Sequence, residues 1–139
     1  ELLFLPGVRA RERAHREAAE KVIDFLDLQP YRDSLVVNLR YGVRKVVEMG
    51  RALCTEPTLL LLDEPSSGLS VEETAEMAFW FEDIRTLLGI TVLMVEHDMS
   101  LVSAVSDRVL ALNYGRVVAC GTAREVQEHP DVIKAYLGG

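Results

Sequence analysis

Two acids close the run Leu59-Leu60-Leu61-Leu62-Asp63-Glu64-Pro65. An Asp at the carboxyl end of a buried parallel strand stands where α/β folds place their ligands. Its hard carboxylate oxygens suit Mg²⁺, held directly or through water. Glu64, one residue on, points elsewhere, as a general base for an attacking water needs to do. Taken alone, the pair reads equally as two solvated acids where a strand meets a turn. Val95-Glu96-His97-Asp98 ends a second apolar run, and an imidazole there can touch a phosphate oxygen or polarise water, although a lone His is more often structural. Two strand ends on one sheet edge, one carrying a cation site and the other an imidazole, say more together than either does singly. The third feature, Asn38-Leu39-Arg40-Tyr41-Gly42, opens a helix. Free N–H groups and the positive dipole end there can hold an anion, yet by itself the segment reads as an ordinary helix start.

The elements that must position these groups follow from periodicity. From Val8 to Leu28, Ala14, Ala18, Val22 and Phe25/Leu26 recur at helical spacing, with Arg11, Arg13, Arg16 and Glu17 on the other face. Gln29-Pro30-Tyr31 ends that helix, and its arginines read as a solvated face. A second helix spans 42–54 with Val43, Val46, Val47, Gly50, Leu53 and Cys54 as its buried stripe. Residues 58–63 and 90–95 are short continuous apolar runs, expected as strands covered on both faces. Between them, Ser70 and Glu73 form a capping box that opens a helix through Leu88, stopped by Gly89. The unit should be a right-handed parallel crossover. A short helix at 99–105, a hairpin of 109–112 with 116–120 across Asn113-Tyr114-Gly115, and helices at 123–128 and 131–137 complete the chain. The class is α/β.

Length, charge and composition narrow the function. The 139 residues suit one domain, and 49% hydrophobic content excludes a disordered chain. A net charge of -7 speaks against a nucleic-acid partner but leaves room for a nucleotide, which needs only a local phosphate site. Cys54 and Cys120 have apolar neighbours and are expected as reduced core residues. The longest apolar runs fall well short of the ~18 to 20 residues of a membrane span. Glu1-Leu2-Leu3-Phe4-Leu5, cut by Pro6-Gly7 and followed by arginines, has the reverse of a secretory order. The chain opens on Glu1 rather than Met, as expected of a fragment.

In this order, the motifs resemble the C-terminal part of an ATP-binding-cassette (ABC) ATPase. Leu39-Arg40-Tyr41-Gly42-Val43 resembles the signature motif, Leu59 to Asp63 Walker B, Glu64 the catalytic glutamate, Ser67-Gly68-Leu69-Ser70 the D-loop, and His97 the switch histidine. Ser106-Asp107-Arg108, Leu112 to Arg116 and Gly121-Thr122 are similar to the family's C-terminal strands. Tyr41-Gly42, Glu96 to Met99 and Val132 to Gly138 look most like ATPase subunits of branched-chain amino-acid importers.

The resemblance implies part of a helical subdomain at 1–57 and a partial, mainly parallel sheet with flanking helices at 58–139. It implies ATP and Mg²⁺ as ligands. Asp63 would hold the metal, Glu64 activate water and His97 contact the γ-phosphate. Tyr41 and Gly42 would face nucleotide on the opposing subunit of a head-to-tail dimer, and Arg40, Ser67 and Gly68 would join Asp63 in contacting nucleotide. A second ABC ATPase domain and membrane permease subunits would be the partners, at the cytoplasmic face of the inner membrane.

Other features depart from that pattern. No G-x-x-x-x-G-K-[S/T] loop occurs in these residues, and phosphoryl transfer depends on such a cradle. The expectation is weak or absent ATP binding and no hydrolysis by this chain alone. Arg40 replaces the signature's Ser or Pro, Val43 its Gln, Ser70 the D-loop acid or amide, and Gly50 a helix Ala at a cost of about 1 kcal/mol. An incomplete sheet would expose an apolar edge and favour a homo-oligomer. The alternative is a standalone, non-catalytic interaction module derived from such an ATPase. An ABC-type ATPase of DNA repair or translation fits the acidic balance poorly.

Overall fold

A computed structural model describes residues 6–137, so the segment Glu1 to Leu5 lies outside the described residues. The chain divides into two compact units at Met94/Val95.

The first unit begins with α1 (Pro6–Phe25), then two single 3-10 turns, Gln29–Tyr31 and Val36–Asn38, and α2 (Tyr41–Leu53). α1 stops at Phe25, short of the expected Leu28, and two residues later Asp27 turns left-handed at φ 53°. Helix α2 packs on α1 at Gly50. A Cβ there would stand 3.0 Å from Leu26 Cδ1 and 3.3 Å from Val22 Cγ1. The glycine that helix propensity alone disfavours thus stands at a tight contact with Val22 of α1 and Leu26 just beyond it. Met49, Gly50 and Leu53 are buried, whereas Val43, Val46, Val47 and Cys54 of the expected stripe are only half-buried. Val43 and Val46 face an open groove, which is why they keep solvent contact.

Strand β1 (Leu59–Asp63) and strand β2 (Thr91–Val95) form a small parallel sheet, connected through α3 (Val71–Thr86). The expectation of strands covered on both faces is corrected: Leu60 is 4% exposed but Leu59 and Leu61 are 48% and 65% exposed. Among the described residues the sheet has two strands, and apolar side chains cover only one of its faces. The predicted capping box starts α3: Ser70 Oγ accepts the Glu73 N–H while Glu73 accepts the Ser70 N–H. α3 ends at Thr86 with Leu87 as its C-cap, two residues short of the expected Leu88, and Gly89 takes φ 66° in the turn that follows. Met77, Phe81 and Ile84 of α3 lie in the core with Leu26, Leu53 and Ile90.

The second unit contains α4 (Met99–Val105), β3 (Val109–Asn113), β4 (Arg116–Gly121), α5 (Ala123–Gln127) and α6 (Pro130–Leu137). β3 and β4 pair antiparallel from Val109↔Gly121 to Asn113↔Arg116, with a register shift between Ala111 and Leu112. Tyr114 at φ 46° and Gly115 at φ 75° make the tight turn, whose two positive dihedrals match the twist of the strands. Leu101, Val102, Ala111 and Val126 are its buried apolar residues. Cys120 is exposed, not a core residue. It sits on the open side of β4 and accepts a hydrogen bond at 3.1 Å from Arg108 Nε. Both cysteines are free. No helix among the described residues is long and apolar enough to cross a membrane.

Candidate functional site

Asp63 is the last residue of β1, and its side chain is exposed at the strand end. Glu64 follows with φ 44°, a left-handed conformation that a non-glycine residue adopts only where neighbours hold it. Two donors hold its carbonyl: Ser67 N–H at 3.1 Å and Lys45 Nζ at 3.5 Å. The left-handed step turns the chain into the tight loop Pro65 to Ser70, in which Pro65 and Ser66 are buried and Leu69 N–H donates to the Ser66 carbonyl.

Tyr41, at the first position of α2, clamps that loop. Its hydroxyl donates to the Ser67 carbonyl at 3.2 Å. Its ring lies against Gly68, whose φ is 79° and where a Cβ would come within 3.0 Å of Tyr41 Cε1. Glycine is needed at 68 both for the dihedral and for the ring. The Arg44 guanidinium and Lys45 ammonium stand 5.6 Å and 5.8 Å from the centre of the Tyr41 ring, within cation–π range. Tyr41, Ser67, Gly68 and the Glu64 backbone are therefore one packed cluster. Arg40 precedes α2 with an exposed side chain and makes no capping hydrogen bond.

Gly42 carries a second contact. A Cβ at this position would meet Glu73 Oε1 at 2.3 Å, so the carboxylate lies directly against the glycine at the start of α2. A negative charge already stands beside the helix end that the sequence offers to an anion.

In the second unit, His97 follows β2 and its side chain is 70% exposed. The neighbouring Glu96 side chain is fully buried, at 0% exposure. Its Oε2 accepts the N–H groups of His97 at 3.0 Å and Asp98 at 3.4 Å, so a buried carboxylate shapes the segment that presents the imidazole. Asp98 in turn caps α4 through the N–H groups of Ser100 and Leu101.

Sequence reasoning missed Lys45, Arg44, Glu73 at Gly42, and Glu96. One signal was available: Lys45 is four residues after Tyr41, on the same helix face. Nothing local marks Glu96 as buried.

The donor set bears on Mg²⁺ and ATP. Among the described residues, no group of three or more His, Cys, Asp or Glu could hold a metal. Mg²⁺ bound with a nucleotide needs only one or two protein carboxylates, the rest of its shell being phosphate and water. Exposed Asp63 fits that single-carboxylate role.

Known proteins match this arrangement. The ABC transporter family profile matches residues 1–67, and the profile described as branched-chain amino acid ATP-binding cassette transporter matches residues 116–139. The high-affinity branched-chain amino acid transport ATP-binding protein BraF of Pseudomonas aeruginosa is 37% identical over 137 residues, covering 99% of this chain and 54% of BraF. Its counterpart LivG of Escherichia coli is 38% identical over 140 residues, with the same two coverages. Among solved structures, an ATP-binding cassette of an ABC transporter in its ADP conformation superposes with a TM-score of 0.79 at 30% identity, covering 90% of this chain and 50% of that one. CbiO1 from Clostridium perfringens, part of an ABC transporter complex, gives 0.77 at 26% identity over 99% and 54% of the two chains.

The fold is that of an ABC ATPase domain, represented by about half of it. The chain is similar to ABC transporter ATP-binding proteins, and among them to the branched-chain amino-acid members. It spans about half the length of the curated relatives it matches.

Proposed function

We propose that these residues are the Walker-B-bearing part of an ATP-hydrolysing subunit that powers a membrane importer of branched-chain amino acids. The observation that carries this is the clamp on the loop after β1. Asp63 and Glu64 end a strand, and the D-loop-like turn behind them is tied to the signature-like start of α2 through Tyr41 and Lys45. Similarity to BraF and LivG along 99% of the chain supports the solute class.

In this scheme Asp63 would hold Mg²⁺ and Glu64 would act as the base toward the attacking water. His97 donates to the γ-phosphate, while Arg40, Tyr41, Gly42, Ser67 and Gly68 face a nucleotide shared with a second ABC ATPase domain. When bound, Mg²⁺ neutralises charge developing on the phosphate oxygens. The first unit's own contribution is to present two carboxylates at the end of β1. Residues 1–57 serve as the helical part and 58–139 as the catalytic part. Permease subunits at the cytoplasmic side of the membrane would receive the work.

These 139 residues contain no phosphate-cradling loop, so the chain alone should neither bind ATP tightly nor hydrolyse it. The test is complementation: the chain mixed with a polypeptide carrying an ABC phosphate-binding loop, with phosphate release followed over time. The proposal expects turnover only in the mixture, abolished by Glu64→Gln. Turnover unaffected by Glu64→Gln would remove Glu64 from its role.

A further inference from the structure

Beside His97 stands a fully buried acid that the proposed mechanism does not use. The Glu96 side chain is 0% exposed, whereas the His97 side chain that follows it is 70% exposed. Successive side chains of an extended chain point to opposite sides, so the acid turns inward and the imidazole outward. A covered carboxylate is costly unless its oxygens are satisfied, and one oxygen of Glu96 draws three nitrogens around it. Oε2 accepts the N–H of His97 at 3.0 Å and that of Asp98 at 3.4 Å, and it stands 3.9 Å from His97 Nδ1. The first two are charge-assisted bonds from backbone donors. The third distance is too long for a hydrogen bond and acts through charge, which is felt more strongly where water is excluded. The oxygen that fixes the backbone around His97 therefore also faces its ring. Asp98, the other acid of this segment, is engaged elsewhere, its Oδ1 accepting the N–H groups of Ser100 and Leu101 at 2.8 and 3.2 Å.

A neutral imidazole carries its proton on one nitrogen, and what faces that nitrogen decides the role of the other. A carboxylate facing Nδ1 draws the proton there and leaves Nε2, the nitrogen farther from the backbone, for a ligand. A bond donated from Nε2 to phosphate then needs a second proton. The ring would meet an anion as the imidazolium, with one proton toward Glu96 and the other toward the ligand.

We propose that Glu96 is a positioning residue, whose buried carboxylate holds the His97 proton at Nδ1 and presents Nε2 as the ring nitrogen that meets the ligand. This role rests on the proposed contact of His97 with the γ-phosphate, and Glu96 itself touches no ligand.

Long-range ¹H–¹⁵N correlation spectra of the ¹⁵N-labelled 139-residue chain, without nucleotide, report the tautomer directly. His129 supplies a reference of opposite sense in the same spectrum, since its Nδ1 accepts the Asp131 N–H at 3.3 Å and its proton must sit on Nε2. At about pH 8.5, above the ordinary histidine range, His97 should carry its proton mainly on Nδ1. Glu96→Gln keeps an oxygen for the two N–H groups but removes the charge, and the proton should move mainly to Nε2, the form free histidine favours. Circular dichroism checks that this variant keeps the fold. A wild-type His97 with its proton on Nε2 would overturn the proposal without recourse to any variant, and so would a ratio that folded Glu96→Gln leaves unchanged. Turnover in the complementation mixture separates this role from the reading beneath it. Glu96→Gln should lower it about tenfold, as loss of an outer partner of a functional imidazole does. A mixture insensitive to His97→Ala would remove His97 from the phosphate, and the role of Glu96 with it. A mixture that His97→Ala silences but Glu96→Gln leaves at full rate would overturn the role of Glu96 alone.

Discussion

The loops after β1 and after β2 both place acids beside a strand end, yet they are held in opposite ways. The loop at 64–70 is fixed from a distance: Tyr41 and Lys45, 26 and 19 residues away in sequence, bind the carbonyls of Ser67 and Glu64. The segment at 96–98 is fixed from within, by one buried carboxylate that accepts N–H groups one and two residues away. A loop tied to another helix moves with that helix, whereas a loop tied to itself does not. Under the proposed function, in which the start of α2 and the loop after β1 face one nucleotide, the first kind of tie would couple the two mechanically.

Substitutions can break this contrast from either side. Glu96→Ala should have the largest effect, because it strips the acceptor from two N–H groups around a fully buried side chain. A loss of about 1–3 kcal/mol in denaturant unfolding is expected. Gly68→Ala should cost about 1–2 kcal/mol, since alanine resists φ 79°. It also drives a methyl into the Tyr41 ring. Ser70→Ala removes the cap of α3 at about 1 kcal/mol, read by the same method. Tyr41→Phe keeps the ring on Gly68 but loses the 3.2 Å bond to Ser67. At this exposed site about 0.5 kcal/mol is expected, with faster hydrogen exchange at Ser67 to Leu69 as the specific sign. If Tyr41→Phe leaves that exchange unchanged, the distant tie does not hold the loop.

The smallest effect expected is a pH dependence in the second unit. Backbone and hydroxyl hydrogen bonds from Thr122 hold the Glu125 carboxyl below its ordinary value. A depressed carboxyl stabilises α5 above the unfolded-state pKa of about 4.3, and that contribution is lost as pH falls through the lower folded-state value. Far-UV circular dichroism should show α5 fraying only on the acid side of that window. Thr122→Ala keeps the backbone N–H but loses the hydroxyl, and should weaken the dependence without abolishing it.

The same contrast explains what the sequence could show. The capping boxes at Ser70/Glu73 and Thr122/Glu125 are pairs three positions apart, and the first is legible in the sequence. So are α4, the turn at Tyr114-Gly115 and the placing of Asp63 at a strand end, because each depends on near neighbours. Lys45 on Glu64 and Glu73 on Gly42 depend on how α2 and α3 pack, which no local spacing states. Gly50 looked like a cost until Leu26 and Val22 stood against it. Continuous apolar runs implied strands covered on both faces. They specify what a strand tolerates, not which neighbours are present, and here Leu59 and Leu61 remain exposed.

Asp63 and Glu64 are proposed as the metal-binding and water-activating end of an ATP site, in a sequence without a phosphate-cradling G-x-x-x-x-G-K-[S/T] loop. Titration calorimetry of the purified chain with Mg-ATP, with phosphate release followed in the same samples, tests it most directly. Neither heat of tight binding nor phosphate release is expected. Tight binding with turnover that Glu64→Gln abolishes would contradict it, because a phosphate site would then exist within these 139 residues.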